Sequence, residues 1–291
     1  MGAAAAAAHL LGLDADGCAA ALGIAASSAC GLQNNFGTPT KALHAGLAAR
    51  GGVLAAQLAS AGMTSSASWL TGDHGMLAAF GGDVAASDAS AVVHAGRAQQ
   101  GITTSMGLVQ KPWTSCGCSH AAVDAVVSLT AGLDIEDITG IEVHVDPAVT
   151  RTMRETVPSD EFDSRYSVSW VVAVAASDGM AGPAQFTSDS IAREPVLALR
   201  ERVDVIPDLE VGDDDRFAAR VVVRTRDDER ETTVRHASGH PLARMDERTR
   251  TDKQRRALAL VTDDPDAAVA VIATLPEVDD VTEIGDALRR L

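Results

Sequence analysis

The first hundred residues place alanine or glycine at almost every apolar position, as in "GAAAAAAHL" and "GCAAALGIAA". Alanine is the strongest helix former, and small side chains let helix axes approach closely. Aromatic residues are only 3% of the chain, so large side chains contribute little to any core here. The pattern predicts a helical domain. Its predicted helices are Gly2–Leu13, Asp16–Ala29, Thr38–Gly62, Ser66–Leu70, Gly75–Phe80 and Ser87–Arg97, and the glycines Gly46, Gly51 and Gly52 predict close packing of the third helix.

After Gly101 the pattern changes to alternating β-branched segments and helices. "IEVHV" alternates cleanly and predicts a strand. The fold class is therefore mixed α and β, with a helical return from Asp246 to Leu291. The predicted elements of this half are strands at Ser105–Gln110, Ile138–Val145, Val203–Ile206, Phe217–Thr225 and Glu231–His236, and helices at Ser119–Leu133 and Ser164–Ser177.

The formal charge of −16 argues against binding to nucleic-acid backbones or anionic membranes. No apolar run reaches the eighteen or so residues that a membrane-spanning helix needs. We therefore expect a cytoplasmic protein with neither nucleic acid nor membrane as partner. Arginine largely replaces lysine, and acidic runs such as Asp213–Asp215 are frequent, a composition typical of proteins from a high-salt cytoplasm.

Lysine is rare, because only three of the 24 basic residues are lysines. Lys41 follows Thr38 and Pro39, a pair that predicts the start of a helix, so Lys41 and His44 share a face beside its free N–H groups. This arrangement suits a carboxylate or phosphate, although a solvated lysine beside a buried histidine is the other interpretation. Lys111 also adjoins a proline, whereas Lys253 lies on a charged helix and is predicted to be solvated.

Cys116, Cys118 and His120 form a C-x-C-x-H cluster. A second Cys/His cluster that would complete a tetrahedral site is missing from the surrounding sequence, so we predict no metal site. A metal-binding module remains a weak alternative. Cys18 and Cys30 lie in alanine-rich stretches and are predicted to be core residues, and His144 is predicted to be a surface residue of its strand.

Three motifs, "GTPTKALHAGLAARGG", "KPWTSCGCSHAAVDA" and "GHPLARMDERTRTDK", resemble the MmgE/PrpD family in order and spacing. This family includes 2-methylcitrate dehydratase and cis-aconitate decarboxylase. The resemblance implies a helical domain over 1–104, an α/β lid over 105–240, and C-terminal helices over 241–291 that pack back on the helical domain. It also implies a metal-independent lyase without an iron–sulfur cluster or other cofactor.

The resemblance implies a set of site residues as well. Thr40, Lys41 and His44 match the family's "TK-x-LH" element, and Lys111 matches the lysine of the lid. Lys41, Lys111 and His120 would be catalytic, and Thr40, His44 and Cys116 would bind the substrate. The cations would hold a small di- or tricarboxylate and stabilise an enediolate-like intermediate while an α-proton leaves.

Two features depart from the family. Its "FS-x-x-Y" element reads "YSVSW" here, so Trp170 stands where a tyrosine is expected. The resemblance also places Gly2–Leu13 in the middle of a longer helical domain, so we expect only the C-terminal portion of a family enzyme, truncated and inactive alone. The alternatives are a non-catalytic remnant, or one half of a split enzyme that an upstream chain completes. Full-length relatives imply a homodimer.

Overall fold

The computed structural model describes residues 1–81, 109–212, 215, 217–274, 283 and 286. The chain forms two compact units, Met1–Ser105 and Met106–Leu291. The predicted mixed α and β fold class is confirmed, since helices alone build the described part of the first unit and a sheet with helices builds the second.

The first unit is built on three helices, α1 (Gly2–Leu10), α2 (Ala15–Ala26) and α3 (Pro39–Ser60). Their contact layers consist of alanines, namely Ala4 with Ala25 and Ala55 in one layer, and Ala8 with Ala21 and Ala56 in the next. The three long helices predicted from alanine content are confirmed, and each ends two or three residues before the predicted end. Of the two predicted core cysteines, Cys18 packs on the second layer, but Cys30 is exposed, so that prediction is wrong.

At Gly52 helix α3 comes close to α1. A Cβ atom at Gly52 would lie 2.7 Å from the backbone nitrogen of Ala4, closer than real contacts allow. The prediction of close packing is confirmed there. It is wrong for Gly46, where a Cβ would meet nothing within 4 Å.

Beyond α3 the first unit continues through turns into α4 (Met76–Phe80). The helix predicted at Ser66–Leu70 is wrong, because this segment forms successive turns. The carbonyl oxygens of Trp69 and Leu70 accept bonds from Met76 and Leu77, so they serve the next helix. The helix predicted at Ser87–Arg97 lies outside the described residues.

The second unit contains a four-stranded sheet of order β2-β1-β3-β4. Its strands are β1 (Ile138–Val145), β2 (Val203–Ile206), β3 (Ala219–Thr225) and β4 (Glu229–Val234). β1 pairs with β2 in parallel, and β3 pairs antiparallel with both β1 and β4. The predicted hairpin across "RDDER" is therefore confirmed, and β1 and β2 have their predicted bounds.

Helices cover one face of this sheet. α5 (His120–Thr130) and α8 (Val168–Asp178) share a core with Ile141, Val143 and Val221 of the sheet. The predicted helices Ser119–Leu133 and Ser164–Ser177 correspond to α5 and α8. Residues Ser105–Leu108 of the predicted first strand lie outside the described residues, and Val109 and Gln110 are not in a strand. The other helices are α6 (Pro147–Thr152), α7 (Glu161–Ser164), α9 (Ser188–Ile191), α10 (Glu194–Arg200), α11 (Glu247–Leu258) and α12 (Pro265–Thr274).

The opposite face of the sheet carries a polar network. His144 was predicted to be on the surface, but it is buried. Its Nδ1 lies 2.7 Å from Oδ1 of Asp208, and its Nε2 lies 3.7 Å from Oε2 of Glu142. Arg224 in turn holds Glu142 through two hydrogen bonds. The network thus gives the buried ring of His144 charged partners on β1 and beyond it.

Among the helices that the structure describes, none is both long and apolar enough to cross a membrane. Helices α11 and α12 confirm the predicted helical return after Asp246. The third predicted segment falls in residues 275–291, of which only Glu283 and Asp286 are described. Packing of these helices on the first unit stays a prediction.

Candidate active site

A loop between Gln110 and the start of α5 carries the lysine that the sequence singled out. The Nζ of Lys111 donates to the carbonyl oxygen of Ser115 at 3.3 Å. The lysine stem passes over Gly117, because a Cβ there would lie 3.7 Å from the Cε of Lys111. The ammonium group is thus folded back over its own loop and remains on the surface.

His120 is the first residue of α5, and it shares this carbonyl. It is 2% exposed, and its Nε2 lies 3.3 Å from the Ser115 oxygen. Since a carbonyl can only accept, we assign the ring proton to Nε2, which leaves the lone pair on Nδ1. Burial, and then the charges of Lys111 and Lys253, lower the pKa of His120 to about 4. The imidazole is therefore neutral at pH 7.

Hydroxyl groups fix the loop that presents the shared carbonyl. Ser119 donates from Oγ to the carbonyl oxygen of Cys116 at 2.9 Å, and the Oγ atoms of Ser115 and Ser119 are 2.9 Å apart. Because each hydroxyl has one proton, the Ser115 hydroxyl is the donor in the second bond. Both serines are buried, so water does not compete for these bonds.

Cys116 and Cys118 lie between the serines. Their Sγ atoms are 3.6 Å apart, and no disulfide joins them. Cys118 is buried and Cys116 is half-buried. The hydrogen bond with Cys116, followed by burial, raises the pKa of the Cys118 thiol, and the charge of Lys111 opposes that shift.

Tyr166 is a site candidate that the sequence reasoning missed. The backbone nitrogen of Cys116 donates to the carbonyl oxygen of Arg165 at 3.0 Å, which brings the next residue, Tyr166, to the loop. Burial, and then Cys116 and Cys118, raise the pKa of the Tyr166 hydroxyl, so it keeps its proton at neutral pH. The sequence does point to this residue, because Tyr166 is the single tyrosine of the chain and lies in "YSVSW".

Asp124 joins the loop to a distant segment of the chain. It accepts hydrogen bonds from Nε1 of Trp113 at 2.7 Å and from the backbone nitrogen of Ser238 at 2.6 Å. The next residue after Ser238, Gly239, accepts from the backbone nitrogen of Gln110 at 2.9 Å. A Cβ at Gly239 would overlap the Gln110 oxygen, and its φ of 89° also favours glycine. The backbone is therefore fixed on both sides of Lys111, at Gln110 and at Trp113.

Lys253, predicted to be a solvated lysine, also acts electrostatically on the site. Lys253 is half-buried on α11, and its charge contributes to the lowered pKa of His120. Arg256, one turn further along α11, lies beside Gly182, and the neighbouring Ala181 accepts from the backbone nitrogen of Thr114 at 2.9 Å. Helix α11 thus packs next to the Lys111 loop and brings a second cation to it.

Comparison with protein families accounts for most of the chain. The model of the MmgE/PrpD C-terminal domain matches residues 113–276, and the model of the MmgE/PrpD N-terminal domain matches residues 1–89. The chain belongs to the MmgE/PrpD family. The expectation of the C-terminal portion only is therefore wrong, because residues 1–89 match the N-terminal domain. A search of curated proteins gives no match.

In this MmgE/PrpD chain the tryptophan of "YSVSW" does not replace a hydroxyl at the site. Trp170 is fully buried in the core of the second unit, and its Nε1 has no hydrogen-bond partner among the described residues. An indole in this position can neither supply nor accept a proton at neutral pH. Tyr166 is the hydroxyl of this element that lies near Cys116.

The other predicted MmgE/PrpD site residues, Thr40, Lys41 and His44, lie in the first unit. Helix α3 begins at Pro39 after Thr38, as predicted, although Thr38 donates from Oγ1 to Asn35 instead of capping the helix. Thr40 and Lys41 are exposed, and the Nζ of Lys41 lies 5.9 Å from the ring centre of Phe36. The structure brings together Lys111, Cys116 and His120, whereas a role for Thr40, Lys41 and His44 at the same site stays a prediction.

The described part of the chain holds no group of three or more His, Cys, Asp or Glu side chains placed for a metal ion. Cys116 and Cys118 adjoin each other, but His120 directs Nε2 to the Ser115 carbonyl.

Proposed function

We propose that this chain is a lyase that acts on a small di- or tricarboxylate by removing an α-proton. The shared carbonyl of Ser115 carries the proposal, because it holds a lysine ammonium and a neutral imidazole on one oxygen. A cation for the substrate carboxylate and a base for the α-proton are the two groups that such a reaction needs.

The charge distribution supports an anionic substrate. The chain has a formal charge of −16, yet Lys111 and Lys253 both act on His120. A cationic site inside an acidic protein attracts a polyanion locally while the remaining surface repels it. Two or three carboxylates match such a site better than one.

His120 is suited to take the proton at Nδ1. The α-carbon loses its proton to this nitrogen, and the electron pair moves into the adjacent carboxylate as an enediolate, which the Lys111 ammonium stabilises. The pair then returns to form a carbon–carbon double bond as hydroxide leaves. The Tyr166 hydroxyl is our candidate to protonate that hydroxide to water. In a decarboxylation no α-proton is removed: the bond between carbon and a carboxylate breaks, carbon dioxide leaves its electron pair on carbon, and the Tyr166 hydroxyl would protonate that carbon.

A bound substrate would make His120 a stronger base. The pKa of about 4 reflects burial and the positive charges of Lys111 and Lys253. Carboxylates bound between these cations cancel their charge, so the pKa rises toward the operating pH. Proton transfer is most efficient when the pKa of the base lies near that pH.

The proposal extends to the first unit. Thr40, Lys41 and His44 would bind a further carboxylate of the substrate, with Lys41 at the start of α3. We also propose self-association as a homodimer, since α3 exposes the apolar side chains of Leu43, Leu47 and Leu54.

A turnover assay on the purified chain tests the proposal. We would offer 2-methylcitrate and cis-aconitate in high-salt buffer, and follow the carbon–carbon double bond by ultraviolet absorbance and carbon dioxide by trapping. We expect turnover that falls about a hundredfold or more in Lys111→Met, since an electrostatic contact to the transition state is lost.

Arg248→Met is the matched control, because Arg248 is an exposed cation of α11 with a side chain that is 91% exposed. It should keep wild-type turnover. Folded wild-type protein that turns over neither compound would contradict the proposal and favour a non-catalytic member of the family.

A further inference from the structure

The two cysteines of the loop form a second chemical feature that proton abstraction does not use. Cys116 and Cys118 are separated by Gly117, and their Sγ atoms lie 3.6 Å apart without a disulfide between them. Closure to a disulfide requires a further approach of only about 1.5 Å, because a disulfide bond is about 2.05 Å long. Cys116 is extended, and Cys118 lies in the 3₁₀ turn Gly117–Ser119.

We propose that Cys116 and Cys118 are a reversible redox site that a low-molecular-weight disulfide converts to an intramolecular disulfide. The two thiols differ in access, which gives each a role. Cys116 is half-buried and meets the external oxidant, whereas Cys118 is 7% exposed and attacks from inside the loop. An accessible thiol next to a second, resolving thiol is the arrangement typical of redox-sensing cysteines.

The exchange is balanced in two steps. The Cys116 thiolate attacks one sulfur of the oxidant, a mixed disulfide forms, and the first small thiolate leaves. The mixed disulfide removes the Cys116 thiol whose hydrogen bond raises the pKa of Cys118. Cys118 then loses its proton and attacks the Cys116 sulfur, the intramolecular bond forms, and the second small thiolate leaves. Two protein thiols are oxidised, one small disulfide is reduced to two thiols, and the two protein protons end on those thiols.

The redox site regulates the Lys111 site, an inference that rests on the proposed function. Gly117, between the cysteines, lies under the stem of Lys111, and Cys116 offers its carbonyl to Ser119. Drawing the sulfurs together moves the backbone of Cys116, whose peptide bond with Ser115 contains the Ser115 carbonyl. The Ser115 carbonyl then loses its alignment with Lys111 and His120, so the oxidised form is the inactive one.

Mass spectrometry tests the redox site without any need for turnover. We would incubate the protein with glutathione disulfide, alkylate the remaining thiols and digest with trypsin. Cys116 and Cys118 share the peptide 98–151, whereas Cys18 and Cys30 share the peptide 1–41. We expect peptide 98–151 to lose two hydrogen atoms in mass and to escape alkylation, with reversal by dithiothreitol.

Cys118→Ser is the matched variant, and it should stop at the mixed disulfide with glutathione on Cys116. Wild-type protein that keeps both thiols, or that retains a mixed disulfide, would overturn the proposal. So would a disulfide to Cys18 or Cys30.

Lysine labelling tests the link to the site. The chain has three lysines, so acetylation by an N-hydroxysuccinimide ester can be followed at each one. Oxidation should raise the labelling rate of Lys111 roughly fivefold, the factor that corresponds to loss of one net hydrogen bond, and leave Lys41 unchanged. A disulfide that forms without changing Lys111 labelling would contradict the regulatory link. Absence of turnover would contradict the proposed function alone.

Discussion

The carbonyl oxygen of Ser115 accepts hydrogen bonds from Lys111, four residues before it, and from His120, five residues after it. A backbone oxygen cannot change its protonation, so it fixes the tautomer of His120 at any pH where the ring is neutral. The nearby ammonium lowers the pKa of the ring without forming a salt bridge with it. This arrangement lets a cation and a neutral base coexist in one small volume.

Replacing Lys111 therefore changes His120. Lys111→Met removes one of the two positive charges that lower the pKa of His120 from 6.5 to about 4. We expect the pKa to rise, yet to remain below 6.5, because burial is the largest cause of the shift. Nuclear magnetic resonance of the histidine ring protons, assigned with a His120→Gln variant, measures this. An unchanged or lower pKa in Lys111→Met would show that the ammonium does not act on the ring.

Among the elements, the Lys111 loop is joined to a distant segment through the carboxylate of Asp124. Asp124→Asn leaves a single acceptor oxygen for two donors, the Trp113 ring nitrogen and the Ser238 backbone nitrogen. We expect a loss of about 1–3 kcal/mol in the free energy of unfolding, measured by urea denaturation. Asp204→Asn on β2 is the control, because Asp204 is exposed.

Trp113→Phe removes one of those donors, so adding it to Asp124→Asn should cost less than the sum of the two single changes. Full additivity would mean that Trp113 and Asp124 do not act together.

Helix α3 offers a matched pair of glycines. Gly52→Ala would force a Cβ to within 2.7 Å of the Ala4 backbone nitrogen, whereas a Cβ at Gly46 would meet nothing within 4 Å. We expect Gly52→Ala to lower the free energy of unfolding by about 1–3 kcal/mol. Gly46→Ala should raise it by about 0.5–1 kcal/mol through helix propensity. Thermal unfolding measures both, and equal effects at the two positions would refute the close approach of α1 and α3.

Elements with a strong local pattern were predictable from the sequence. β1 and β2 have their predicted bounds because β-branched residues alternate with polar ones along them, and α1–α3 follow from alanine content. The turns at Ser66–Leu70 were not predicted. The carbonyl oxygens of Trp69 and Leu70 accept hydrogen bonds from the start of the next helix, and the local sequence pattern does not reveal those bonds. The roles of Lys253 and Asp124 depend on contacts across more than a hundred residues, which spacing within one element does not reveal.

For the whole molecule, the formal charge of −16 has a consequence for stability. Repulsion among exposed carboxylates opposes folding, and salt screens it. Salt also weakens the exposed ion pairs, such as that of Arg220 with Glu231, but exposed pairs contribute at most about 1 kcal/mol each. We expect molar potassium chloride to raise the midpoint of thermal unfolding by about 5 °C or more. A midpoint that falls with salt would show that the ion pairs outweigh the repulsion.

The same charge makes binding of a polyanion a demanding test, since only a local cationic site can overcome the repulsion of the whole chain. Titration of His120 by nuclear magnetic resonance, with and without the saturated tricarboxylate tricarballylate, tests the shared Lys111–His120 site most directly. Binding should raise the pKa of His120 from about 4, and Lys111→Met should weaken that response. A pKa of His120 that is the same with saturating tricarballylate as without it would contradict the assignment of this loop as the polycarboxylate site.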